Sequence, residues 1–168
     1  MSRGGGSKEW FMSDSELKII DVKMSTIEIA TNPHILRTSG IGSCVVITLY
    51  DSTKRIGAMA HPMLAIKPAY NTEIPLRFVE NAIDAMIMGL EKIGALRKLL
   101  EAKIIGGANM FKVLDKNPNS IGAENVESAV KKLESEGIKI VATDTGGNCG
   151  RSVEFDLITG LVEVKTKI

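Results

Sequence analysis

"TSGIGSCVVITLYDSTKRIGAMAHP", Thr38 to Pro62, carries one of the two cysteines and one of the two histidines in the chain. Its middle, Cys44 to Tyr50, is rich in Val, Ile and Thr, residues that fit a pleated sheet better than a helix. "RIGAMAH" follows after "DSTK", and Asp51 at its head is a turn signal. The stretch therefore reads as a β-hairpin. With Ser52 and Thr53 at the tip, Tyr50 faces Arg55, Thr48 faces Gly57, Val46 faces Met59 and Cys44 faces His61. Val45, Ile47 and Leu49 then share the opposite face with Ile56, Ala58 and Ala60, a consistent apolar layer.

Directly opposed residues bring thiol and imidazole within reach of one another. A thiol is mostly protonated at neutral pH, and the thiolate is the nucleophile. A neighbouring imidazole takes the proton and later returns it to a leaving group. Before the cysteine, "SGIG" lets the backbone turn tightly at Gly40 and Gly42 and leaves room beside the sulfur. Backbone N–H groups from Gly42 through Ser43 to Cys44 are placed to receive an oxyanion. On the residues alone the question stays open: buried cysteine is often a small hydrophobe, and a lone histidine is often structural. A one-residue change of register would put the two on opposite sides of the sheet.

On either side of the hairpin, "LKIIDVKMSTIEIA" (17–30) reads as one or two strands and "ILRT" (35–38) as another, with "TNP" a turn between them. Leu76, Val79, Ile83, Met86, Leu90 and Ile93 recur at helical spacing, which predicts a helix over 73–94 with Met86 and Met88 as core fillers. A second helix is expected over 123–137, its apolar face Val126, Ala129, Val130 and Leu133. "LLEAKIIGGANMF" (99–111) reads as a buried strand entering a Gly-Gly turn. "IKIVAT" (138–143) is a further strand, "DTGGNCG" (144–150) a loop, and the chain closes on a hairpin around "ITG". The order suits an α+β domain with a mixed sheet and two main helices over residues 17–168. Residues 1–16, rich in Gly, Ser and charge and holding Trp10, read as a mobile tail.

Lys plus Arg number 21 against 20 Asp plus Glu, and aromatics are 4%. That balance argues against a nucleic-acid partner. No apolar run approaches the ~20 residues that span a bilayer, so membrane insertion is not expected. Two cysteines make no disulfide framework and suit a reducing, cytoplasmic setting. "GIGSCV" completes neither G-x-G-x-x-G nor G-x-S-x-G. Cys44, His61, Cys149 and His34 lack the short spacings of a metal site, so no metal is expected.

"GIGSCVVITLYDSTKRIGAMAHPML" (40–64), "AKIIGGANMF" (102–111), "SIGAENVESAVKKLESEGI" (120–138) and "DTGGNCGRSVEF" (144–155) resemble the CheD family of chemoreceptor glutamine deamidases, over nearly all of Ile27 to Val164. The resemblance implies a mixed β-sandwich flanked by helices, similar to bacterial toxin cysteine deamidases. It implies a catalytic set of Cys44, His61 and Thr38, with no cofactor. The implied reaction turns a receptor glutamine into glutamate through a thioester at Cys44. His61 shuttles the proton, Thr38 orients His61, and the site lies at an open rim. Methyl-accepting chemotaxis receptors are the implied partners, and the CheC phosphatase is a further one. A regulatory adaptor of little catalysis, or a small-molecule amidase, are the rival readings. Gly106, Gly107, Asn109, Asp144 and Asn148 stand as candidates for the site rim, or as turn residues only. Glu124 occupies a position often basic in the family, and Cys149 a position where a non-cysteine is expected.

Overall fold

The computed structural model describes residues 16–66, 69–70, 74–111 and 120–167. Apart from Glu16, the tail expected over 1–16, with Trp10, lies outside the described residues. The chain runs through β1 (Ile19–Asp21), β2 (Ile27–Thr31), β3 (Ile35–Ile41), β4 (Val45–Asp51), β5 (Ile56–Ala60), α1 (Val79–Lys92), β6 (Glu101–Gly106), α2 (Ile121–Ser135), β7 (Lys139–Thr145), β8 (Gly150–Asp156) and β9 (Val162–Lys167).

Two mixed sheets result. One has the order β2-β5-β4-β6-β7, antiparallel except where β6 meets β7. The other has the order β1-β3-β8-β9, antiparallel except where β1 meets β3. The hairpin expected from the sequence lies in the middle of the first sheet, and β4 is buried on both faces. Val45, Ile47 and Leu49, with Ile56, Ala58 and Ala60, pack against Val79, Ile83, Met86 and Leu90 of α1 and Ala129 and Leu133 of α2. On the reverse face Val46, Tyr50, Met59 and Ile105 meet Leu36, Ile41, Val153 and Phe155 of the second sheet. The molecule is thus an α+β sandwich of three layers: sheet, sheet, helices. Among the described residues, no helix is long and apolar enough to cross a membrane.

The hairpin's faces match the sequence reading, but its register does not. The observed pairs are Ile47–Ala60, Thr48–Met59, Leu49–Ala58, Tyr50–Gly57 and Asp51–Ile56. This is a displacement of two residues, which preserves each side chain's face. The cause is the turn. Asp51 Oδ1 accepts from the Thr53 N–H (2.9 Å), the Thr53 hydroxyl (2.6 Å) and the Lys54 N–H (3.3 Å), and Arg55 takes a φ of +52°. Asp51 therefore organises the bend from inside the ladder and moves its tip onward.

The first helix starts later than expected. Pro75–Arg77 forms a short 3-10 turn, and Phe78 is extended because it bridges to Leu64. Leu76 is consequently only half-buried, and Ile93 falls beyond the helix end, exposed. Met86 is fully buried as expected, but Met88 is 58% exposed and fills no core. α2 begins earlier, at Ile121, because the Ser120 hydroxyl accepts from the Ala123 N–H at 3.1 Å.

Candidate active site

Between β3 and β4 the chain crosses from one sheet to the other. Gly40, at φ +69°, lies within a break in the β3–β8 register, and Gly42, Ser43 and Cys44 form a short strap. The strap's carbonyls are all engaged. Gly42 O accepts from the Ala108 N–H (2.9 Å), Ser43 O from Asn125 Nδ2 (2.9 Å) and Cys44 O from the Gly107 N–H (2.8 Å). Among the described residues, no backbone carbonyl accepts from the N–H groups of Gly42, Ser43 and Cys44. Fixed carbonyls hold the strap rigid, and amides that no backbone carbonyl engages can serve as donors to an oxyanion.

The glycines of "IIGGAN" are what let this strap sit so close. Gly106 has a φ of +107°, and a Cβ there would lie 2.5 Å from Cys44 O and 2.7 Å from Ile41 Cγ2. Gly107 and Gly122 touch backbone to backbone; a Cβ on Gly122 would meet Gly107 at 2.5 Å. The Gly146 N–H donates to Gly106 O and the Asn109 N–H to Gly147 O, both at 2.9 Å, so the two glycine-rich motifs interlock behind the strap.

His61 follows β5, with its backbone held on both sides: its N–H donates to Thr26 O (3.2 Å) and its carbonyl accepts from the Ser25 N–H (2.8 Å). Its ring reaches across the sandwich, and Nδ1 lies 2.9 Å from Thr38 Oγ1 of β3. Both residues are buried. Nε2 is buried without a hydrogen-bond partner among the described residues, the thiol included. The Val45 N–H donates to Pro62 O at 3.3 Å and so extends the β4–β5 ladder. In that register His61 falls opposite Val46, making Cys44 its diagonal neighbour rather than its direct partner. Diagonal residues on one face stand roughly 7–8 Å apart, within reach of a long side chain.

Cys44 is a free thiol and only 7% exposed, not open to solvent as the glycine bend suggests. Burial pushes its pKa above the ordinary thiol value. The same cause lowers His61 to about 4. At neutral pH both groups are therefore uncharged, and the imidazole is free to act as a base. The consequence is measurable in a Cys149→Ser background, which removes the other free thiol. Alkylation of Cys44 by iodoacetamide is expected to rise steadily from about pH 6 to about pH 9 as thiolate forms, because the imidazole has already lost its proton below that range. A flat rate between about pH 5 and 7 would reveal a preformed thiolate–imidazolium pair instead.

Of the rim candidates, Gly106 and Gly107 support the strap directly. Asn109 Oδ1 accepts from the Phe111 N–H (3.2 Å) and shapes a local turn. Asp144 accepts from Arg151 Nη2 (3.2 Å), and Asn148 Oδ1 from the Cys149 thiol (3.4 Å). Beside Ser43 opens a groove of about 350 Å³, edged by the exposed Met110, Phe111 and Ile121. Sequence reasoning passed over Asn125, which is fully buried behind the strap. The "IGAEN" segment drew attention to Glu124; the next residue makes the contact.

Comparisons with known proteins bear on the family. The sequence model of CheD, described as CheD chemotactic sensory transduction, matches residues 62–166. The chemoreceptor glutamine deamidase CheD of Thermotoga maritima is 43% identical over 134 residues, covering 80% of this chain and 83% of that one. The protein of the same name from Halalkalibacterium halodurans is 39% identical over 154 residues, covering 88% and 93% respectively. Identity at that level, over four-fifths or more of each chain, makes this chain a member of the CheD family.

Proposed function

We propose that the protein deamidates glutamine side chains of methyl-accepting chemoreceptors, with Cys44 as nucleophile, His61 as acid–base and Thr38 as the group that orients His61. The observation that carries this reading is the Thr38–His61 contact across the two sheets, which occupies Nδ1 and leaves Nε2 without a hydrogen-bond partner among the described residues. The names of the relatives, chemoreceptor glutamine deamidases, supply the substrate class.

For His61 to act as the base, its Nδ1–H must donate to Thr38 Oγ1, so that Nε2 carries the lone pair. Nε2 then takes the thiol proton as sulfur bonds to the amide carbon. The oxyanion that forms is received by the N–H groups of the strap. The C–N bond breaks, and ammonia leaves with the proton held on Nε2. Water next gives a proton to Nε2 and attacks the thioester; the C–S bond breaks, and the proton returns to sulfur. The balance is glutamine plus water to glutamate plus ammonia. Threonine carries no charge and supports an imidazolium less than a carboxylate does. That agrees with a resting pair that is neutral. The proposal extends to the kinship with bacterial toxin cysteine deamidases, in which a thiol attacks the same kind of side-chain amide.

The test is incubation with cytoplasmic receptor fragments, followed by peptide mapping. Conversion of particular glutamines to glutamate is the expected result. Receptor binding with no conversion would favour the adaptor reading instead, in which the protein acts by binding receptors and the CheC phosphatase.

A further inference from the structure

Asn125 is polar, yet it is completely buried on the inner face of α2. Its Nδ2 donates to Ser43 O at 2.9 Å and to Met63 O at 2.8 Å. Ser43 immediately precedes Cys44, and Met63 lies two residues beyond His61. One side-chain amide therefore joins the segment carrying the thiol to the segment carrying the imidazole. Its orientation is not a matter of choice. Both acceptors are carbonyl oxygens, so reversing the amide would set three oxygens against one another. Oδ1 is buried and has no partner among the described residues. An unpartnered buried carbonyl is a cost that an apolar residue at this position would avoid. What asparagine adds is a two-pronged donor that reaches both segments at once.

The alternative ties do not replace it. Gly42 O and Cys44 O are held by Ala108 and Gly107, which fix the strap to the end of β6 but not to the histidine. The direct link between the two segments is the Val45 N–H to Pro62 O bond, long at 3.3 Å. We propose that Asn125 is a positioning residue of the reaction: from behind the sheet it sets the separation and angle between Cys44 and His61. This rests on the assignment of those two residues to the chemistry.

The experiment measures kcat and KM for ammonia release from a cytoplasmic receptor fragment, per folded molecule, alongside thermal unfolding. Asn125→Asp places a carboxylate against two carbonyls, and Asn125→Ser keeps at most one donor. Both are expected to lower kcat roughly 100-fold, the scale of a displacement of about an ångström between reacting groups. KM should stay within about twofold, because Asn125 does not line the groove beside Ser43. Leu133→Ala is the comparison, since Leu133 is buried on the same helix and contacts neither segment by hydrogen bond. It should lower thermal stability and leave kcat per folded molecule unchanged. The proposal is overturned if Asn125→Ser keeps kcat within about threefold, if the loss falls on KM, or if Leu133→Ala loses kcat equally. It is overturned as well if neither Asn125 variant folds while Leu133→Ala does, which would assign Asn125 to the fold alone. Deamidation that survives Cys44→Ala would sink the underlying assignment, a result distinct from any of these.

Discussion

Cys44→Ala is expected to reduce glutamine conversion to the uncatalysed level, because it removes the thiol on which the covalent step depends. His61→Ala should lower the rate about 10²–10⁴-fold, the usual contribution of a positioned acid–base group. Thr38→Val, close in size and lacking only the hydroxyl, should cost at least about tenfold, because it frees the ring to adopt the wrong tautomer. The combination Cys44→Ala with His61→Ala should be no worse than Cys44→Ala alone, since the two act in one step. Peptide mapping of a receptor fragment at fixed enzyme concentration gives all four values. A double variant markedly slower than either single one would mean that the two residues act separately. Burial makes these substitutions demanding: Thr38 and His61 lie between the sheets, so each rate must be referred to folded protein.

Gly106→Ala should be among the most damaging single-methyl changes in the chain. The residue sits at φ +107°, where a side chain is strained, and the new Cβ would overlap Cys44 O and Ile41 Cγ2. Strain of about 1–3 kcal/mol and overpacking of about 1–3 kcal/mol together predict a loss of roughly 2–6 kcal/mol. In a domain of this length that is a fall in Tm on the order of 10 °C. Gly137→Ala provides the contrast. Its φ of +69° is similarly unfavourable, but a Cβ there has nothing within 4 Å. Its cost should stay near about 1 kcal/mol. Equal losses at the two positions, measured by calorimetry, would show that backbone conformation alone governs both. The overlap would then be relieved by small movements of the strap.

Much of this architecture can be read from residue order, and the failures have identifiable physical causes. The alternation in "CVVITLY" and "RIGAMAH" sorts side chains correctly between the helix layer and the second sheet, because a face depends only on parity. Register depends on the turn, and there a side chain rather than the backbone decides: Asp51 draws Thr53 and Lys54 inward. The start of α1 is hidden for a similar reason. Phe78 falls inside the helix expected over 73–94 but is held extended by its partner Leu64. Met88 has no such excuse; it follows the buried Ile87 but lies on the side of the helix that faces solvent. Cys44 and His61 are legible as a couple because they belong to one hairpin. Thr38 is not, since it arrives from the opposing sheet with no periodic relation to His61, and only the family likeness singles it out. Asn125 is the least visible, because its importance depends on how α2 docks behind the strap.

The groups proposed to carry the reaction belong to different layers of the sandwich: Thr38 to one, Cys44 and His61 to the other, with Asn125 pressing from the third. Turnover is therefore a gauge of how well the layers are seated. A solvent or temperature that lets the sheets slip by a fraction of a side chain would extinguish deamidation while helices and strands stay intact. Loss of activity would precede loss of secondary structure, and restoring the seating would restore the enzyme.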